Sequence, residues 1–345
     1  MNRRGPDPVD EVGLQRQPHA EPSADAVPTV SVIIPVLNEE RHLHDAVAMV
    51  LAQDWPHELQ VVLAIGPSTD RTEEIAAELA AADSRITVVP NPSGRTPDAL
   101  NAAIGVARGD VIVRVDGHAE IPADYVSTAV RVLDETGADN VGGIMDAEGI
   151  TAFQRAVAVA MKSPFGVGPS RFHVGGEAGP ADTVYLGAFR RSALERVGGY
   201  DRRYARAQDW EMNHRIRETG GLVYFTPDLK VTYRPRATVK ALAKQYFLYG
   251  RWRRVVARSH KGTINARYLA PPAMVAGVSG STLLGLLWAP ALAVPAAYLL
   301  GTAATGLAIS RDEDWPVRLR TPAVLATMHW SWGVGFLTSP RSLPR

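Results

Sequence analysis

Residues Val30 to Glu40 read VSVIIPVLNEE. A short run of β-branched residues closing on a proline, an asparagine and two acids is a buried strand that leaves its sheet just where Glu39 and Glu40 open a helix. The texture repeats outward. Leu59 to Ile65, Ile86 to Val89 and Val111 to Val115 are further apolar runs. Between them, Leu43, Val47, Val50 and Leu51 share one helical face, as do Ile75 and Leu79, then Leu100, Ile104 and Ala107. A β-α-β-α-β-α-β order predicts an α/β fold with a mostly parallel sheet covered on both faces, whose ligands sit beyond the carboxyl ends of the strands. From about Gly142 to Arg236 the chain is richer in glycine and less periodic, and strands at Thr183 to Phe189 and Leu222 to Thr226 would continue the sheet.

The chain has 345 residues. Against a typical domain of roughly 150, that allows one large domain or a domain with an appendage. With 46% apolar and 21% charged residues it is neither wholly disordered nor membrane throughout. It has no cysteine, which removes disulfides, thiolate zinc sites and cysteine nucleophiles. Residues 1–29 carry five prolines among mixed charges and no signal-like apolar core, and read as a mobile cytoplasmic tail.

The net charge of +1 conceals a split, because no acid occurs between Asp228 and Asp312. Eleven lysines and arginines fall between Lys230 and Arg267, followed by 43 residues, Tyr268 to Ser310, with no charged side chain or histidine. A spanning helix needs about 20 apolar residues. Two spans joined near Pro290 are therefore expected, near 272–289 and 291–309, within a membrane region at 258–345. Thr321 to Thr338 is a third apolar segment that either spans or lies at the interface. The competing reading of Tyr268 to Ser310 is a pair of buried helices, but a soluble helix normally keeps a charged face. The basic cluster would face the cytoplasm and meet anionic or phosphate-bearing lipid rather than nucleic acid.

Two loops carry chemistry. GPSTDRT, Gly66 to Thr72, follows the second strand, and its hydroxyls with Asp70 either cap the next helix or touch a ligand. RVDGHAEIP, Arg114 to Pro122, puts Asp116 and His118 two apart just past the fourth strand. Taken singly His118 is an ordinary loop histidine; as a pair the two suit a divalent cation, Mn2+ or Mg2+, holding a diphosphate.

In this order, SVIIPVLNEE, GPSTDRT, GRTPDALNAAIGVARGD, VDGH, YLGAFRRSALERVGGYD, AQDWEMNHRIRETGG and QYFLYGRWRR resemble the family 2 glycosyltransferases over Val30 to about Ala257. The resemblance implies a GT-A nucleotide-sugar domain over 30–257, in the branch where membrane helices follow. It implies that Pro35, Asn38 and Glu39 line the nucleoside pocket, with Asp70, Arg95 and Asn101 nearby. Asp116 would bind ribose or metal and His118 metal, and Gly187 would let the backbone approach the donor sugar. Asp209, after Gln208, stands where the family has its catalytic base. Gln245, Arg251 and Trp252 resemble a Gln-x-x-Arg-Trp element with stretched spacing. Two departures stand out: Ile65 takes the place of a base-contacting aspartate, and His118 replaces the second acid of the metal motif, which favours a weaker or manganese-preferring site.

The implied activity is inverting, metal-dependent transfer of a hexose, with UDP as the expected carrier, from a nucleoside-diphosphate sugar to a polyprenyl-linked saccharide at the cytoplasmic membrane face. A polyprenyl-phosphate sugar synthase would use the same domain. From another class, a membrane-tethered noncatalytic sugar-nucleotide binding module shares the sequence texture. The missing G-x-G-x-x-G after the first strand argues against a dinucleotide oxidoreductase.

Overall fold

The computed structural model describes residues 27–341, so the tail expected at 1–29 falls almost entirely outside the described residues. Eight strands form one sheet: β1 (Val30–Val36), β2 (Leu59–Ile65), β3 (Ile86–Pro90), β4 (Val111–Arg114), β5 (Asn140–Ala147), β6 (Gly179–Pro180), β7 (Tyr185–Arg190) and β8 (Val223–Tyr233). Their order is β3-β2-β1-β4-β7-β5-β8-β6. The first four pair in parallel, β7 runs antiparallel between β4 and β5, and β5 pairs in parallel with β8. This is the mostly parallel α/β sheet expected.

The period of two decides which face each side chain enters. Val30, Val32, Ile34 and Val36 join Leu59, Val61, Leu63 and Ile65 under the helices Leu43–Leu51 and Tyr125–Thr136. Ile33, Val62 and Ala64 point the other way, onto Ala99, Leu100 and Ala103 of the helix Thr96–Val106. Because β2 lies on one side of β1 and β4 on the other, the connections diverge above their carboxyl ends and leave a crevice.

Strand β5 lacks a clear strand pattern in the sequence, since Gly142 and Gly143 interrupt its apolar run. Both are required by packing. A Cβ on Gly143 would stand 1.8 Å from the Leu229 carbonyl oxygen and one on Gly142 2.7 Å from that of Tyr185, beside a shift of register in both neighbouring ladders.

After β8 comes the 21-residue helix Val239–Ser259, then Ala266–Leu284, a 3₁₀ turn Ala289–Leu292, Ala293–Ile309 and Thr321–Leu337. Among the described residues, one helical stretch, Ala289–Ile309, is long and apolar enough to cross a membrane, with mean hydropathy 1.6 and 11% of its most apolar window buried. The segment expected near 272–289 is a helix with Pro271 and Pro272 inside it and an exposed leucine-rich end. Thr321–Leu337 packs Val324, Leu325 and Met328 against Ala156, Val157, Leu242 and Tyr246.

Glycines make that docking close. A Cβ on Gly250 would lie 2.0 Å from the Trp332 carbonyl oxygen, and one on Gly335 2.1 Å from that of Phe247, so the two helices touch backbone to backbone. Gly250→Val should therefore destabilise the protein by about 3 kcal/mol, at the upper end for overpacking. A melting temperature unchanged from the parent would show that the two helices do not meet this way.

Candidate active site

Strand β4 ends on a charge inside the protein. Arg114 is 4% exposed, and a buried guanidinium is tolerable only when paired. Its Nε and Nη2 donate to Asp116 Oδ1 at 3.1 and 2.9 Å, while Nη1 donates to Oδ1 of Asp209, 95 residues further along the chain. One arginine thus fixes the carboxylate after β4 relative to the carboxylate on the helix Gln208–Glu218, and leaves Asp209 Oδ2 as the oxygen able to accept a proton. Burial pushes the Asp209 carboxyl above its ordinary range, and Asp116 adds to this, whereas Arg114 pulls it down. Burial is nonetheless incomplete, since the Asp209 side chain keeps 36% of its exposure toward a cavity.

The helix bearing Asp209 is itself pinned. Buried Glu211 pairs with Arg215 at 2.8 Å, and Arg215 also donates to the carbonyls of Val197 and Gly199. His260, just past the helix Val239–Ser259, lies 3.3 Å from the same Glu211 carboxylate. Ala207, immediately before Gln208, takes a left-handed conformation with φ 60°, a strained backbone for a residue with a Cβ and the kind of strain that collects at functional sites.

Across the crevice, His118 Nδ1 lies 2.8 Å from Glu39 Oε1. The Glu39 hydrogen bond raises the imidazole's pKa, with burial opposing it. When neutral, the ring holds its proton on Nδ1 against this carboxylate and turns the Nε2 lone pair outward, the way a second carboxylate orients a metal-binding histidine.

A cavity of about 920 Å3 joins these groups. Pro35, Glu39, Asp116, His118, Gln208, Asp209, Gln245 and Trp252 are among its polar and aromatic lining residues. Gln245 is held by the hydroxyls of Tyr233 and Tyr249, each at 2.9 Å. Phe165, Met274, Tyr298, Met328 and Trp332 line an apolar part formed with the C-terminal helices.

The remaining predicted site residues stand outside this lining. Asn38 (φ 56°) accepts from the Thr69 amide at 2.8 Å and donates its own amide to Ser68, and Asp70 accepts from the Glu40 amide, so both lace the β1 and β2 loops together. The Thr72 hydroxyl, 2.5 Å away, holds the Asp70 carboxyl below its usual range. Asn101 clamps the backbone of Tyr200 at 2.7 and 2.8 Å, and Arg95 donates to the Arg202 carbonyl. Arg251 lies over Phe247. Gly187 has φ 88°, and a Cβ there would meet Asn140 Oδ1 at 2.7 Å and the Phe189 ring, so strand packing requires the glycine.

No group of three or more His, Asp or Glu side chains converges among the described residues. A protein-only metal cage is therefore absent there. The donors that do face the cavity, Asp116 and an oriented His118, are of the kind that fits a divalent cation with open positions for further ligands.

A family model for glycosyl transferase family 2 matches residues 31–198. The succinoglycan biosynthesis protein ExoA of Rhizobium meliloti (strain 1021) is 31% identical over 309 residues, covering 88% of this chain and 93% of that protein. The chain belongs to glycosyl transferase family 2. This glycosyltransferase is also 26% identical, over 70% of its length and 77% of the relative's, to a Methanococcus voltae dolichyl N-acetyl-alpha-D-glucosaminyl phosphate 3-beta-D-2,3-diacetamido-2,3-dideoxy-beta-D-glucuronosyltransferase. Its GT-A-like fold matches the Pyrobaculum calidifontis mannosyltransferase PcManGT, solved with GDP-Man and Mn2+, with TM-score 0.57 and 22% identity over 91% of this chain and 90% of that one.

Arg114 escaped notice in the sequence. Its one signal is a charge closing the otherwise apolar run VIVR. Arg114→Met would leave Asp116 and Asp209 without their shared counter-charge. About 2–3 kcal/mol of stability should be lost at neutral pH, less than for a fully buried pair because solvent reaches both carboxylates. Without Arg114 the Asp209 carboxyl loses the charge that pulls its pKa down and sits further above its unfolded value, so folding takes up a proton and the deficit should shrink as pH falls through the acid range. Urea unfolding at several pH values reads this; a deficit independent of pH would contradict the pairing.

Proposed function

We propose that this glycosyltransferase moves a sugar, with inversion, from a nucleoside-diphosphate sugar to a lipid-linked saccharide at the cytoplasmic membrane face, in polysaccharide or glycan assembly. The carrying observation is the continuity of one cavity from the Asp116–His118 loop, past Asp209, to an apolar wall built by the C-terminal helices. The ExoA relative is named for polysaccharide synthesis and the Methanococcus relative for a dolichyl-phosphate-linked acceptor, which supports the same class of acceptor here.

Each residue then has a task. Pro35 and Glu39 border the nucleoside-diphosphate end, and Glu39 keeps His118 turned toward it. Asp116 and His118 would hold the divalent cation, which neutralises charge on the departing diphosphate. Asp209 Oδ2 accepts the proton of the acceptor hydroxyl as that oxygen attacks the anomeric carbon, and its raised pKa makes it a better base than an ordinary aspartate. Arg114 holds the other oxygen and keeps Oδ2 aimed. Trp252, buried against Tyr204, offers a ring face to a sugar. In this reading 30–257 is the catalytic domain and 258–345 the membrane region, with Thr321–Leu337 docked on the former.

Membrane attachment draws on the exposed apolar end of the hairpin. Leu286 and Leu287 are 80% and 90% exposed, and Trp288, Leu299 and Leu300 are exposed as well. Apolar area of this kind is unstable in water and stable in a bilayer. The adjoining run of lysines and arginines without an acid fits the cytoplasmic leaflet.

Asp209→Asn should leave nucleotide-sugar binding within about twofold while cutting turnover by about 10²–10⁴, the range for a lost general base; turnover within tenfold of the parent would remove Asp209 from that role. Leu286→Glu combined with Leu287→Glu should fold normally yet lose co-flotation with anionic phospholipid vesicles. Unchanged flotation would mean that this end does not enter the bilayer.

A further inference from the structure

The apolar part of the cavity contains two cations that the transfer scheme does not use. Arg253 is 6% exposed, and its guanidinium carbon lies 4.1 Å from the centre of the Trp210 ring and 4.0 Å from that of Tyr268. One nitrogen, Nη2, donates to the Thr263 carbonyl; Nε and Nη1 are buried and have no hydrogen-bond partner among the described residues. Burial, with Arg267 contributing, lowers the pKa of Arg253 from its ordinary value. Arg267 sits over the same Tyr268 ring at 4.7 Å, donates to its hydroxyl at 2.7 Å, and has a buried Nε that is also unpartnered. The nearest carboxylate to Arg267, that of Asp182, is 3.7 Å away on a largely exposed side chain.

Both arginines line the cavity. A buried charge with open donors is costly unless an anion completes it. The position limits which anion. Trp210, which stacks on Arg253, is the residue after Asp209, so the anion would lie beside the start of the helix that carries the proposed base. On the other side Phe165, Pro271, Met274 and Met328 supply a wall for hydrocarbon. An anionic group followed at once by an apolar chain is the chemistry of a prenyl phosphate or diphosphate.

We propose that Arg253, supported by Arg267, is an anion subsite for the phosphate or diphosphate of the lipid-linked acceptor, with the first prenyl units lying along Pro271, Met274 and Met328. This rests on the lipid-acceptor reading above. The two aromatic rings hold the Arg253 plane fixed, so its unpartnered Nε and Nη1 donors are preorganised for charge-assisted hydrogen bonds to phosphate oxygens. The acceptor saccharide is thereby tethered within reach of Asp209 without any recognition of its own sugar identity.

The test uses full-length protein in detergent, following tryptophan fluorescence with farnesyl diphosphate, farnesol, inorganic pyrophosphate and, with Mn2+, UDP or GDP as probes. The parent should bind farnesyl diphosphate more tightly than either farnesol or pyrophosphate. Arg253→Met and Arg267→Met should each weaken farnesyl diphosphate tenfold or more, leave the nucleotide within twofold, and leave farnesol unchanged. Arg253→Lys should recover part of the loss. If the nucleotide weakens as much as the lipid diphosphate, the arginines serve the donor and the proposal falls. It falls equally if neither variant changes lipid binding, or if the parent does not bind farnesyl diphosphate. Should Arg253→Met fail to fold, Arg267→Met decides alone. A failure of sugar transfer to any lipid would instead count against the proposed function and leave these binding results standing.

Discussion

A single guanidinium organises the catalytic end of this protein. Arg114 closes a strand whose other side chains are hydrocarbon, and burying it without partners would be prohibitive. Two carboxylates remove that penalty, Asp116 two residues on and Asp209 on a helix 95 residues away. The helix has little freedom to sit elsewhere, because Glu211 and Arg215 fasten it to the backbone around Val197 and Gly199, and His260 reaches the same carboxylate. Stability and site geometry are therefore the same set of ion pairs.

The rest of the cavity follows from how the C-terminal helices dock. Gly250 and Gly335 allow Val239–Ser259 and Thr321–Leu337 to meet at backbone distance. That contact brings Met328 and Trp332 over the crevice, and Ala266–Leu284 adds Pro271 and Met274. One space thus has a charged part at the carboxyl ends of β1 and β4 and an apolar part against helices that continue into the exposed hairpin. A substrate uniting a charged group, sugars and hydrocarbon matches this graded lining.

The sequence shows β1 to β4 and their helices plainly because each strand is a short β-branched run and each helix keeps one apolar face. It hides β5, where Gly142 and Gly143 are needed for close backbone approach and erase the very periodicity by which strands are recognised. Asp116, His118 and Asp209 could be picked out from motif positions, and they do face one cavity. Arg114 and Arg253 could not. In sequence each is one more basic residue, and only tertiary contacts give Arg114 two carboxylates and leave Arg253 between two rings with open donors. At Gly187 and Arg251 the sequence shows the motif position but not the contacts: a Cβ at Gly187 would meet Asn140 and Phe189, and the Arg251 charge lies over Phe247. In Thr321–Leu337 the sequence does not show that Val324, Leu325 and Met328 pack into a core with Leu242 and Tyr246.

The most direct measurement is a crystal or cryo-electron microscopy structure of the full chain with Mn2+ and an intact, non-hydrolysable nucleotide-sugar analogue. The diphosphate should lie against Asp116 and His118, with the anomeric carbon facing the space in front of Asp209 Oδ2 while Arg114 still bridges the two aspartates. A nucleotide sugar bound away from Asp116, or an anomeric carbon turned from Asp209 toward solvent, would contradict the assignment of this cavity as the site of transfer.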